Sequence, residues 1–357
     1  KIMVAETMDI KISRKVDSSI DKLDWDNLAF GRVFSDHMFV MEYADGEWKN
    51  PEITAYADLK FSPATSVLHY GQSFFEGMKA YRTSDGEVRL FRPEENAQRF
   101  NVSARRMCMP EIPIDVFIES LKTLIKIDMD WVPNKDDCSL YVRPFMIATD
   151  PFVGIKPSDT YKFIIFTCPV GSYYSEPVKV KIEIEYSRAV KGGTGFAKAA
   201  GNYAGALYPA KIAQEKGYRQ LIWTDALEHK YIEEAGTMNV IFKIGDTLIT
   251  PKSSDTILAS ITRRSVIDIA RDWGCKVEER KVLVSEVIEA IEAGNLTEAF
   301  GAGTAATIAQ ISLINYKGVD YELPPVENRE FSNKVKQELE DIKYGKIEDR
   351  FNWMLKV

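Results

Sequence analysis

The sequence predicts an α+β protein of two domains. Three observations carry that prediction: a length of 357 residues, helical and strand-like segments that interleave without a sustained βαβ rhythm, and a run of turn formers near the middle. A single core stops growing at about 250–300 residues, so a chain of this length divides. The turn-forming run is Pro169-Val170-Gly171-Ser172-Tyr173-Tyr174-Ser175. It sets a smaller N-terminal domain at 1–168, a linker at 169–177 and a larger C-terminal domain at 178–357.

Each element has a local signature. Residues 1–27 are polar and without periodicity, an arm on the first domain. Met38 to Tyr43 followed by Asp45-Gly46 reads as a strand entering a hairpin turn, and Ser84-Asp85-Gly86 repeats that chemistry between Met78–Tyr81 and Val88–Phe91. Pro93 suits the first turn of a helix that runs on from Glu94 to Arg106. Ile114, Phe117, Ile118, Leu121, Leu124 and Ile125 fall on one helical face, ending before Pro133. Leu140 to Phe145 and Lys162 to Thr167 are short strands.

Beyond the linker, Val178, Val180, Ile182, Ile184 and Tyr186 alternate with other residues as a half-buried strand does. Ala206 to Lys216 is helical and stops at Gly217, with Pro209 in its first turn or at a kink. Asn239–Ile244 and Thr247–Thr250 flank Gly245-Asp246 as a tight hairpin. Ser260 caps a helix from Thr262 to Trp273, stopped by Gly274, and Ser285 to Ala293 forms another, closed by Gly294. No internal repeat or low-complexity segment stands out.

Composition narrows the function. Apolar residues at 45% and charged ones at 28% describe a soluble globular chain, and a net charge of −7 argues against a nucleic-acid surface. No apolar run is long enough for a membrane span, and Lys1 to Ile12 lacks the apolar stretch of a secretory signal. Cys108, Cys138, Cys168 and Cys275 are too far apart to form a ligand pair or a dense disulfide framework, so a reducing cytoplasm is the simplest setting. Three histidines, His37, His69 and His229, offer little to a metal site or a Ser-His-Asp triad, and none is expected. His69 suits a structural role better than a catalytic one.

The chemistry centres on Phe196-Ala197-Lys198-Ala199-Ala200-Gly201-Asn202-Tyr203. Among side chains this small, desolvation favours a neutral, nucleophilic amine, which is what a Schiff-base lysine needs. The stretch alone also suits an ordinary solvated loop lysine. Glu233-Glu234-Ala235-Gly236-Thr237-Met238-Asn239 follows, and Leu68-His69-Tyr70-Gly71 and Phe75-Glu76-Gly77-Met78-Lys79 precede.

Together these motifs resemble the branched-chain aminotransferases of the fold-type IV pyridoxal-phosphate enzymes, from about Asp24 onward. The resemblance implies an active site between the two domains, with Lys198 in the C-terminal one as the cofactor's Schiff-base lysine. It gives Glu234, rather than its neighbour Glu233, the ring nitrogen, because the family's acid directly precedes a small or apolar residue, then Gly and Thr. It places Arg99, Tyr203, Thr237, Ile261, Thr262 and Thr304 around pyridoxal 5′-phosphate, with Tyr203 donating to the ring oxygen. Helix-start amides after Ser260 would independently attract the phosphate.

Gly301-Ala302-Gly303-Thr304-Ala305-Ala306 fits the dinucleotide pattern, but too little chain follows it for a doubly wound fold. A turn whose Thr304 and Ala305 amides bind the substrate carboxylate is the better reading, and the family uses it so. The resemblance makes Phe30, Tyr70, Phe75 and Tyr141 an apolar substrate pocket, with Arg143 taking the distal carboxylate of glutamate or 2-oxoglutarate. Val153 and Ile155 match positions that reach a neighbouring subunit, which implies a homodimer.

The implied substrates are the branched-chain amino acids, glutamate and their 2-oxo acids, with no nucleic acid or membrane partner. Where animal mitochondrial relatives carry a C-x-x-C redox pair, this chain has Ala306 and Ala309, so that regulation is excluded. A D-amino-acid transaminase, an aminodeoxychorismate lyase or a non-catalytic protein of the same fold remain the alternatives.

Overall fold

Alternating apolar residues make Met38–Tyr43 and Lys162–Thr167 into strands, and they pair antiparallel with Phe39 opposite Ile165 and Met41 opposite Phe163. Around that pair the chain builds one of two compact units. The computed structural model describes residues 8–174 and 176–357. The first seven residues of the arm and Ser175 of the linker lie outside the described residues.

The first unit holds the chain up to Tyr173 together with Ala197–Gly201 and Asp341–Val357; the second holds Tyr174–Phe196 and Asn202–Glu340. A linear division at 169–177 thus misses two segments, and it assigns Lys198 to the larger C-terminal part. The lysine segment packs instead with the first unit, since Phe74 bridges Ala199 and the Lys198 amide is held by Ser103.

Nine described strands form the first unit's sheet, in the order Lys11–Ile12, Glu47–Ala55, His37–Ala44, Tyr161–Val170, Ser139–Ala148, Met78–Arg82, Val88–Phe91 and Met354–Lys356, with Ser73–Phe75 also on Ser139–Ala148. The helices Pro93–Arg106 and Ile114–Ile127 cover it. They bury Phe100 and Phe117 against Phe163, with ring centroids 5.3 to 5.6 Å apart. Each such ring contributes about 1.5–3 kcal/mol on leaving water. The described part of the arm is not loose: Met8, Ile10, Ile20 and Leu23 pack on this core, and Lys11–Ile12 runs parallel to Glu47–Ala55.

The second unit's sheet has ten described strands and mixes parallel with antiparallel pairs. Register sets which turns lie together at one end of it. Asn239 lies opposite Ala302 and Gly303 opposite Thr307, so the 235–238 turn and the 304–306 turn share one end of the sheet.

Two elements differ from expectation. The strand begun at Val178 stops at Ile182, because the buried Glu183 carboxylate accepts the amides of Ile184, Glu185 and Tyr186 and curls the chain out of the ladder. The helix expected from Ala206 runs from Ala200 to Glu215, with Pro209 in its interior. Proline there removes one backbone bond, yet the helix continues through it.

Candidate active site

In the first unit, Lys198 is fixed by its backbone. Its amide donates to Ser103 Oγ at 2.9 Å and its carbonyl accepts the Phe75 amide at 3.2 Å. The side chain is left to reach over the Phe75 ring, with Nζ 5.0 Å from the centroid. Ser103 and Arg99 are one turn apart on the helix Pro93–Arg106, so one face of that helix meets both the lysine segment and the chain after strand Ser73–Phe75.

Arg99 meets Glu76 there. Its Nε donates to one carboxylate oxygen at 2.7 Å and its Nη2 to the other at 2.9 Å.

A continuous line of contacts joins most of the expected pocket. Phe30 packs edge-on to Tyr141 with centroids 4.8 Å apart. The Tyr141 hydroxyl accepts Arg143 Nη2 at 2.9 Å, and the Arg143 guanidinium carbon lies 4.3 Å above the Phe75 ring. Arg143 Nε is buried with no hydrogen-bond partner. Gly77 is required beside them, since a Cβ at that position would lie 2.3 Å from the Tyr141 hydroxyl.

Three expected residues are not buried with this group. Tyr70 ends the short helix Ser66–Tyr70 and is 43% exposed, and Val153 and Ile155 are 64% and 94% exposed on the loop beyond Ser139–Ala148. His69 donates a ring N–H to the Pro63 carbonyl at 2.7 Å, a structural bond.

In the second unit, Glu234 is buried on strand Tyr231–Ala235. Arg188 Nε lies 3.0 Å from one of its oxygens, while the Leu258 amide, at 2.5 Å, and Asn239 Nδ2, at 3.5 Å, donate to the other. Arg188 is held in turn by the carbonyls of Thr256 at 3.1 Å and Gly195 at 3.0 Å. Its neighbour Glu233 accepts the Thr256 hydroxyl at 2.6 Å, and burial pushes its carboxyl up to about 7. The two adjacent acids are thus distinct: one faces a guanidinium and the other a hydroxyl.

Ile261 and Thr262 open the helix Ile261–Asp272, where Ser260 Oγ caps the Arg263 amide at 3.1 Å. First-turn amides have no intrahelical acceptor and sit at the positive end of the dipole, a ready site for an anion. Arg263 anchors that end, donating to Thr250 Oγ1 at 3.0 Å and to the Pro251 carbonyl at 2.9 Å. Thr304 and Ala305 lie in the turn that shares its end of the sheet with Thr237. The glycines before that turn admit Met238, whose Sδ would lie 2.9 Å from a Cβ at Gly301. Tyr203 is half-buried on the first turn of Ala200–Glu215.

Residues 73–314, more than half of the chain, match the family described as Amino-transferase class IV. The chain belongs to the class IV aminotransferases. Like the family, it is a transaminase with pyridoxal 5′-phosphate as its cofactor. It is similar to branched-chain-amino-acid aminotransferase 2 of Bacillus subtilis (strain 168), 48% identical over 340 residues that cover 94% of each chain. The Escherichia coli branched-chain amino acid aminotransferase structure aligns with TM-score 0.72 and 26% identity, over 89% of this chain and 98% of that one. The enzyme of that name from Thermobaculum terrenum, solved in its PLP-form, aligns with TM-score 0.72 over 89% of this chain and 97% of that one, at 22% identity, which speaks for the fold.

The residues of this class IV chain fit the cofactor. Glu234, paired with Arg188, suits a protonated pyridine nitrogen, and the Ser260-capped helix start suits a phosphate. Sequence reasoning passed over Glu76, Ser103, Asn96 and Arg188. Glu76 stood in a quoted motif, but only the fold shows that Asn96 and the Arg99 guanidinium converge on its carboxylate.

Proposed function

We propose that the chain transfers the amino group of L-leucine, L-isoleucine or L-valine reversibly to 2-oxoglutarate, in alternating half-reactions. The observation that supports it most is the line Phe30, Tyr141, Arg143, Phe75, Lys198, an aromatic surface that ends on a primary amine and contains an unpartnered buried guanidinium nitrogen. The rings take a branched aliphatic side chain, and Arg143 takes the second carboxylate of the acidic co-substrate. One pocket thereby serves both substrates.

Bound pyridoxal phosphate supplies an electron sink next to the substrate Cα. Lys198 Nζ takes the proton from Cα and returns one as general base and acid. Glu234 holds the proton on the ring nitrogen, and Tyr203 donates to the ring oxygen. Arg99, the amides of Ile261 and Thr262, and the Thr304 hydroxyl hold the phosphate, with Thr237 beside the ring. The Thr304 and Ala305 amides orient the substrate α-carboxylate. Exposed Val153 and Ile155 support a homodimer, which light scattering would test, and a reducing cytoplasm is the proposed setting. Among the described residues no helix is long and apolar enough to cross a membrane.

The visible absorption spectrum of the purified protein tests the reading. L-Leucine should convert the cofactor band to the pyridoxamine form and 2-oxoglutarate should restore it, and Lys198→Ala should lose that cycle. A protein that stays colourless with added pyridoxal phosphate would sink the reading. One that ignores L-leucine and answers D-alanine would move it to the D-amino-acid branch.

A further inference from the structure

Glu76 is 0% exposed, and none of the roles above uses it. A carboxylate with no access to water persists only when its oxygens are fully answered by donors and an opposite charge. Glu76 has four donors: Arg99 Nε at 2.7 Å, Arg99 Nη2 at 2.9 Å, Asn96 Nδ2 at 2.7 Å and the Gly77 amide at 3.1 Å. Burial would raise its carboxyl, but the Arg99 guanidinium and the more distant Lys198 ammonium hold it below the ordinary value.

The shape of this contact carries information. A guanidinium is planar, and two donors on two oxygens of one carboxylate fix both its plane and its direction. Asn96, almost one turn before Arg99 on the helix, fixes the carboxylate in turn. The strand end that carries Glu76 also donates the Phe75 amide to the Lys198 carbonyl, so one short peptide sets the attitude of both cations. Filling the same space with apolar side chains would give comparable stability, but it would not aim an arginine.

The geometry points to Glu76 as a positioning residue: its two-point grip aims the Arg99 guanidinium and thereby sets how tightly the protein holds the phosphate of its cofactor. The inference rests on the reading of Arg99 as a phosphate ligand. It assigns Glu76 no contact with substrate or cofactor.

The test compares cofactor affinity with and without the phosphate. Wild type, Glu76→Gln, Arg99→Gln and the double variant would be stripped of cofactor, checked by thermal melting, and titrated with pyridoxal 5′-phosphate and with pyridoxal by absorbance. Glu76→Gln should weaken pyridoxal phosphate by roughly tenfold, as loss of an outer partner does, and pyridoxal by less than about twofold. The double variant should bind no more weakly than Arg99→Gln, since both changes remove one function.

If Glu76→Gln weakens both ligands equally, or neither, Glu76 is a structural residue only and the inference is overturned. If Arg99→Gln leaves the preference for the phosphorylated ligand intact, the reading of Arg99 fails and this inference fails with it. Should Glu76→Gln not fold, Glu76→Asp carries the test. It keeps the charge, shortens the reach and breaks the two-point grip, so the same fall in phosphate preference is expected and an unchanged preference overturns the proposal.

Discussion

Each unit buries a glutamate against an arginine, and on the roles proposed above the two pairs serve in opposite senses. In the first, Glu76 is 0% exposed and is held by Asn96 and the Gly77 amide as well as by Arg99, so the carboxylate is the fixed post. In the second, both members are tied: Arg188 to the carbonyls of Thr256 and Gly195, and Glu234 to the Leu258 amide and Asn239 as well as to Arg188. In those proposed roles, similar ion pairs would offer a cation in one place and an anion in the other. The difference lies in the arginine: Arg188 is anchored to two backbone carbonyls, whereas Arg99 spends two of its donors on the two oxygens of Glu76.

The sharpest way to separate scaffold from chemistry is Lys198→Ala. The lysine's ties are made by its backbone, so the variant should fold and melt like wild type. Its turnover should fall by roughly 10²–10⁴-fold, the range for a general base, in a coupled assay with L-leucine and 2-oxoglutarate. Retained turnover would remove Lys198 from the chemistry.

Arg188→Met should break the second pair. A buried carboxylate left without its partner costs about 3–5 kcal/mol, and Arg188→Met with Glu234→Gln should recover part of that, since no lone charge remains. Urea denaturation of the three variants measures both values, and an undiminished midpoint for Arg188→Met would show that Glu234 does not depend on it.

A smaller effect divides the two substrates. Arg143→Gln should lower kcat/KM for 2-oxoglutarate by roughly 10- to 100-fold, the worth of a bond to a charged group, and that for L-leucine by only about threefold. Equal losses would place Arg143 in general packing.

The smallest concerns Glu233. Burial, opposed by the Thr256 hydroxyl and assisted by the Glu234 charge, moves its carboxyl from 4.5 to about 7. The fold therefore favours the protonated form, and that contribution is complete below pH 4.5 and lost as pH rises through 7. Relative to Glu233→Gln, wild type should lose about 1–2 kcal/mol between pH 5 and 8 in chemical denaturation. Parallel pH profiles for the two proteins would refute the burial argument.

The elements legible in the sequence were those fixed by neighbours along the chain. Pro93 starts a helix because its φ and missing donor suit a first turn, and Gly245 turns the 239–251 hairpin with φ +56°. Elements decided by distant residues were not legible. The strand Glu47–Ala55 contains Pro51 and a positive φ at Asn50, and it is held as a strand by His37–Ala44. The helix Ala200–Glu215 includes Gly201, Gly205 and Pro209, which hid its first turns. Strands Leu296–Gly303 and Thr307–Tyr316 were read only as a glycine turn, and Glu330–Lys343 went unread.

The site divides in the same way. The motifs around Lys198 and Glu234 can be quoted from a continuous stretch, whereas Arg188 reaches Glu234 across 46 positions and Arg99 reaches Glu76 across 23. No local pattern announces such a pair. A charged residue within a motif shows which residue type is present and leaves its partner open.

The placement of residues 197–201 and 341–357 in the first unit has a consequence for how the protein is made. Strand Met354–Lys356 pairs with Val88–Phe91, so that edge of the first sheet lies open while the ribosome is still translating everything between. Domains usually fold in the order in which they emerge. Here the first unit to appear is completed after the second, and a fragment ending at residue 173 would lack both its closing strand and Lys198.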